Sequence, residues 1–193
     1  MTARLDEIIE AATDLFYEKG FEKASLRDIA LKVGITQAAI YYHFKNKEQI
    51  LYTIIEIYAE EILSVLNASI SNKTEPLEKL KNAVSQHIIY METRGKGAKI
   101  MIEDKKFLSG EFNRLVRAQE KGVYTFYKKR LAELQESGEI GKCDLTATTF
   151  SILGMINWIY HWYKPEKGLS VKQVSEDIVQ MIFHGILPYP AKE

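Results

Sequence analysis

Apolar residues recur three and four positions apart along almost all of this chain, and its four prolines stand outside those runs. That spacing lays one apolar stripe along a helix of about 3.6 residues per turn, and it does not fit the two-residue alternation of a strand. An all-α fold is therefore expected. The chain has 193 residues, 46% hydrophobic and 27% charged, enough to build a core of one or two domains. Its formal net charge is zero, so only local charge can point to a partner. The lone cysteine, Cys143, can form no internal disulfide, which suits a reducing cytoplasm. "MTARLDEIIEAA" carries charges within its apolar pattern, unlike a signal peptide. No apolar run approaches the roughly 20 residues of a membrane span, so a cytoplasmic location and no membrane partner are expected.

Leu5, Ile8, Ile9, Ala12, Leu15 and Phe16 form the first stripe, and Gly20 ends it. Ser25 can cap a second, short helix, with Asp28 at the capping-box position and Leu26, Ile29, Ala30 and Val33 on its buried face. Gly34 stops that helix. Thr36 can cap a third, running to about Phe44, and Asn46 a fourth, with Gln49 at its box position. Two short helices around a tight glycine turn, held against a first, give the layout of a helix-turn-helix.

The third helix has two faces. Ile40 and Phe44 fall together and point inward, with Ala39 at their flank. Gln37, Ala38, Tyr41, Tyr42 and Lys45 lie on the other side. A glutamine can bond an adenine edge in the major groove and an alanine can meet a thymine methyl. Tyrosine hydroxyls and lysine reach phosphates. Residues 25–47 carry four bases and one acid, whereas residues 1–24 carry three bases and six acids. Positive potential is thus gathered where a duplex would lie.

The stretch "AATDLFYEKGFEKASLRDIALKVGITQAAIYYHFKNKEQIL" closely resembles the DNA-binding domain of the TetR family of bacterial transcriptional regulators. The matching pieces are "LFYEKGFEKASLRDIA", the turn "KVGIT" and "YYHFKNKEQIL". The resemblance implies DNA contacts at Ser25, Arg27, Thr36, Gln37, Ala38, Tyr41, Tyr42, His43 and Lys47. His43 falls on the flank of the buried face of the helix, where a core histidine is the alternative. The resemblance also implies a homodimer on a palindromic double-stranded operator. Residues 1–50 are then the helix-turn-helix domain, and 51–193 a helical ligand-binding and dimerisation domain.

In that second part the fourth helix is expected to end near Ser71, with "SNKTEP" as a connector. Leu77, Leu80, Val84, Ile88 and Met91 mark the next helix, and "TRGKG" breaks it. "AKIMIEDKKFLS" reads as a short, poorly defined helix. A long helix over Glu111–Ser137 follows, then one over Leu145–Tyr163 and a last over Ser170–Gly185, opened by a Ser170–Gln173 capping box. "TRGKGAK" lacks the spacing of a phosphate loop and follows no strand. Val174, Ile178, Met181 and Ile182 make a seam on the last helix, joined by Phe150, Leu153 and Gly154 on the helix before it. That seam either pairs with its copy in a four-helix dimer interface or packs within its own chain.

"GMINWIYHWYKPEKG" holds both tryptophans of the chain. Trp158 and Trp162 are four apart, with Met155 one turn earlier. With Tyr90, Met91, Met101 and Phe126 from other helices they can line an adaptable apolar pocket; core packing or a dimer contact is the alternative. The "NW…WYKP" segment is similar to a branch of the family that responds to acyl-CoA thioesters, which implies a small hydrophobic effector of that class and a repressor. A multidrug-sensing repressor for cationic aromatic compounds and a ligand-free architectural DNA-binding protein are the alternatives. The four histidines are scattered, no nucleophile–base arrangement or metal-ligand spacing is present, and no catalytic residue, metal or cofactor is expected.

Overall fold

A computed structural model describes residues 3–70 and 75–185. Among the described residues there are ten α-helices and no strand: α1 Ala3–Lys19, α2 Leu26–Val33, α3 Gln37–His43, α4 Lys47–Ala68, α5 Pro76–Thr93, α6 Gly95–Asp104, α7 Gly110–Glu136, α8 Leu145–Asn157, α9 Ile159–Trp162 and α10 Val171–His184. None of them is long and apolar enough to cross a membrane.

The residues divide into two compact units, Met1–Glu61 with Arg94–Lys121, and Ile62–Thr93 with Gly122–Glu193. The first is built on Ile8, Ala12, Phe16, Ile29, Ile40, Phe44, Ile50, Leu51 and Ile55, all buried, with Ile100 and Val116 from α6 and α7. Its helices begin and end where local chemistry allows. Ser25 Oγ accepts from the Asp28 backbone N–H while Asp28 accepts from the Ser25 N–H, closing the capping box of α2. Gly34 ends α2 at φ 75°, a left-handed conformation that costs glycine nothing. Thr36 Oγ1 accepts from the Ala39 N–H and starts α3. Asn46 Oδ1 accepts from the Gln49 N–H and starts α4, and Gln49 Oε1 accepts from Lys45 N–H.

Three boundaries differ from the sequence expectation. The connector over 71–76 and the end of α4 at Ser71 fall largely outside the described residues; α4 itself stops at Ala68. "TRGKG" interrupts the helices only at Arg94, and Gly95 and Gly97 both lie in α6. Within α6, Gly97 allows a close approach to α4: a Cβ there would stand 3.0 Å from the Tyr58 ring. The single helix expected over Leu145–Tyr163 is two. Trp158 keeps a near-helical backbone, but its N–H reaches both Gly154 and Ile156 carbonyls, and the chain turns there into the four-residue α9.

In the second unit α5 is central, packed by α8, α9 and α10. Leu80, Val84, Ile88 and Met91 are buried as their spacing predicts. The Ser175 hydroxyl donates to that of Ser85 at 2.7 Å and ties α10 to α5. The capping box of Ser170 and Gln173 is formed.

Candidate nucleic-acid interface and effector region

α3 is only seven residues long, too short to hold its shape alone. Its rigidity comes from below: Ile40 and Phe44 are buried in the core of the first unit. The opposite side is open. Tyr42 is 87% exposed and Tyr41 53%, two large rings open to solvent. Thr36, Gln37 and Ala38 are exposed beside them at the helix N-terminus. Arg27 is exposed on α2 and Lys45 at the end of α3. His43 is half-buried, its ring edge-on to Tyr42 at 5.0 Å.

The structure gives three other residues of this region work inside the chain. Ser25 is exposed, but its hydroxyl and N–H are engaged with Asp28. Lys32 Nζ meets the Asp14 carboxylate at 2.7 Å, and Lys96 of α6 meets its other oxygen. These two lysines hold the Asp14 carboxyl below the usual carboxylate range, the Lys32 contact most strongly. Lys47 Nζ donates to the carbonyls of Phe21 (2.7 Å), Ala24 (2.9 Å) and Glu22 (3.2 Å), over the Phe21 ring. Of the four bases counted over residues 25–47, Lys32 is paired with Asp14 and Lys47 with loop carbonyls, whereas Arg27 and Lys45 stand exposed on this face.

The candidate effector residues separate. Tyr90 and Met91 on α5 and Phe126 on α7 are buried in the second unit, and Met155 on α8 is half-buried. Met101 belongs to the first unit, packed against its core. Trp158 and Trp162 are 57% and 44% exposed, so in the single chain they enclose no interior. Trp158 stands at the junction of α8 and α9 and Trp162 ends α9, so no single helix carries Met155, Trp158 and Trp162. Trp158 instead continues a line of exposed positions at four-residue spacing, Phe150, Gly154 and Trp158, along α8. A Cβ on Gly154 would meet nothing within 4 Å.

The expected α10 seam divides likewise. Val174 and Ile178 are buried within the chain, on the helix that packs against α5. Met181 is 40% exposed, and Leu153 and Ile182 are half-buried. Among the candidate effector and seam residues, the large apolar side chains left exposed are Phe150, Trp158, Trp162 and Met181.

Two features escaped the sequence reading. His87 and Tyr127 form a buried pair in the second unit, and burial pushes the His87 pKa down to about 3. His87 stands three residues after Val84 and four before Met91, so its spacing already put it on the inward face of α5. The Asp14–Lys32–Lys96 cluster joins α1, α2 and α6; Asp14 and Lys96 are 82 residues apart, and no local pattern announces them.

Residues 8–53 match the family described as bacterial regulatory proteins, tetR family, and residues 73–186 match the tetracyclin repressor-like C-terminal domain. The transcriptional repressor KstR2 of Mycolicibacterium smegmatis is 27% identical over 188 residues, covering 95% of this chain and 91% of that protein. The fatty acid metabolism regulator protein of Bacillus subtilis is 24% identical over 182 residues, covering 93% and 94%. Among solved structures, AibR in complex with isovaleryl coenzyme A and operator DNA is 30% identical with a TM-score of 0.86, over 93% of this chain and 98% of that one.

Proposed function

Because this chain belongs to the tetR family of bacterial regulatory proteins, we propose that it is a cytoplasmic transcriptional repressor, binding a palindromic operator as a homodimer and answering to an acyl-CoA. The observation that carries the operator reading is the open face of α3, with Tyr41 and Tyr42 exposed above a fixed Ile40 and Phe44. Gln37 and Ala38 read base edges; Tyr41, Tyr42, Thr36, His43, Arg27 and Lys45 meet the backbone. Residues 1–50 carry this task, and residues 51–193 carry assembly and effector binding.

A dimer brings two copies of α3 to successive major grooves, about one helical turn apart. Phe150, Gly154, Trp158 and Met181 supply the exposed apolar surface for it. The effector class is supported by likeness to AibR, which binds isovaleryl coenzyme A, and to a regulator of fatty acid metabolism. Tyr90, Met91, Phe126 and Met155 hold the acyl chain. In AibR the thioester and operator DNA are found in one complex, so occupancy of one site does not forbid the other. The effect of the ligand is then a coupling of affinities between two sites.

The test is an operator-release titration. The operator is a duplex that the protein selects from a random-sequence pool. Isovaleryl-CoA, longer acyl-CoAs, free CoA, the free acids and a cationic dye are added in parallel. Release by an acyl-CoA, with free CoA and the acid far weaker, supports the effector class. Release by the dye alone would give the case to a multidrug sensor, and no release by any of them to a ligand-free DNA-binding protein.

A further inference from the structure

We infer that Arg130 donates its Nε–H to the thioester carbonyl of the effector, so that the second unit recognises the bond to CoA as well as the acyl chain. This rests on the acyl-CoA reading above. The place of the residue is the first observation. On α7, Phe126, Tyr127, Leu131 and Leu134 are buried. At about 100° per residue Arg130 falls between them, inside the apolar stripe. Its basic neighbour Lys129 is exposed, and Lys128 bonds the Thr146 hydroxyl. An arginine set among apolar side chains is costly unless its donors are used.

Those donors are used in part. A guanidinium carries five N–H groups and no acceptor. One Nη1–H reaches Glu133 Oε2 at 2.7 Å, one turn further along α7. Nε is closed to solvent and has no partner among the described residues. In the second unit, no other enclosed side-chain nitrogen or oxygen of the described residues is left so. The buried polar pair beside it is satisfied, since the Tyr127 hydroxyl lies against both His87 Nδ1 and the Ala83 carbonyl. A buried donor left open destabilises the empty state, and an oxygen brought by a ligand removes that cost. The Arg130 side chain is 22% exposed as a whole, so a ligand can reach the guanidinium from outside.

Charge and position decide which oxygen fits. Glu133 balances the guanidinium, so the pair is neutral as a whole. A phosphate or a free carboxylate brought to Nε would meet the Glu133 carboxylate, whereas a neutral carbonyl would not. The guanidinium stands over the Phe126 ring, with Cζ 5.7 Å from the centroid. Phe126 is among the residues assigned to the acyl chain. A chain lying on that ring ends beside Arg130, and the carbonyl that ends the chain of an acyl-CoA is the thioester's. The amide carbonyls of the CoA arm lie further out.

A thioether analogue separates this carbonyl from the rest of the ligand. Isopentyl-CoA has the branched chain and the CoA arm of isovaleryl-CoA, with a methylene in place of the carbonyl. Both are titrated by calorimetry into the unaltered protein, Arg130→Met and Arg130→Lys, each below its melting temperature. Octanoyl-CoA and octyl-CoA form a second pair with a longer chain. The unaltered protein is expected to bind the thioester about tenfold more tightly than the thioether, the size of one hydrogen bond from a charged donor. Arg130→Met should bind both alike. Arg130→Lys keeps the charge and can still meet Glu133, but it puts a methylene where Nε stands. It should lose the preference too, and it serves as the test if methionine does not fold.

A thioester preference that persists in the folded variants would overturn the inference, even if both affinities fall, because the contact would then be to the CoA arm. Equal binding of thioester and thioether by the unaltered protein would overturn it as well. If the unaltered protein binds neither isovaleryl-CoA nor octanoyl-CoA, the effector reading itself fails and takes this inference with it.

Discussion

His87 Nδ1 lies 3.0 Å from Tyr127 Oη, joining α5 to α7 where both residues are closed to solvent. The Tyr127 hydroxyl is also 3.4 Å from the Ala83 carbonyl. Desolvation alone depresses the histidine to about 3, so it is neutral in the folded chain at every ordinary pH. In the unfolded chain it titrates near 6.5. The unfolded state therefore binds the extra proton between these values, and stability falls as the pH drops through that window, at roughly 1.4 kcal/mol per unit. Above pH 6.5 the contribution is fully present. Chemical-denaturation midpoints measured from pH 7 to 4 should decline, and His87→Gln, which does not titrate, should flatten the decline. Equal slopes in both proteins would mean that other groups govern it. Asp14 and Asp28, both held below 3.8, act only at the acid end of this range.

The face of α3 predicts two kinds of loss. Tyr41→Ala should weaken all operator variants about equally, because a phosphate contact carries no sequence information. Gln37→Ala should relax preference at one base pair, by roughly 1–3 kcal/mol. Binding each variant to a full set of single-base operator changes separates them. An unchanged ranking for Gln37→Ala would remove Gln37 from the base-reading set.

α10 should separate folding from assembly. Ile178 is 8% exposed and packs inward, so Ile178→Asp puts an unpaired charge into the core and should cost several kcal/mol, enough to lose the fold. Met181 is 40% exposed, and Met181→Asp should leave a folded monomer by circular dichroism and sedimentation, with operator binding lost at moderate salt. A dimeric, DNA-binding Met181→Asp would place the interface elsewhere.

Two glycines of α6 should respond in opposite senses. Gly95→Ala adds a methyl to open space and gains helix propensity, an effect of up to about 1 kcal/mol. Gly97→Ala gains the same propensity but drives its methyl to 3.0 Å from Cδ2 of Tyr58, whose ring is buried and cannot yield. Overpacking of that kind typically costs about 1–3 kcal/mol, so the net change should be destabilising. Melting temperatures of the two variants give the signs directly.

Much of this fold was legible in spacing and caps. Ser25 with Asp28, Thr36, Asn46 and Ser170 with Gln173 all start helices as their short polar side chains require. The division between Ile40 and Tyr41 on α3 was legible too, since a hundred-degree step fixes which residues share a face. What periodicity does not carry is the neighbour across the groove. Val174 and Ile178 form a clean seam, but a seam does not say whether its complement is α5 or another copy. Met155, Trp158 and Trp162 have helical spacing, but the helix breaks at Trp158, between α8 and α9, so no single helix face carries all three. Lys47 was singled out by the family resemblance alone, and the three backbone carbonyls that its ammonium meets, 23 to 26 residues away, show in no local pattern.

The shortness of α3 has a consequence for how such a chain can diverge. Its inward residues, Ile40 and Phe44, answer to the core, and its outward ones, Gln37, Ala38, Tyr41 and Tyr42, lie exposed outside it. Exchanges at the outer set leave melting behaviour nearly untouched. Target choice and foldedness are therefore inherited through separate sets of codons. A duplicated copy could drift to a new address in the genome one outward residue at a time, without passing through an unfolded ancestor.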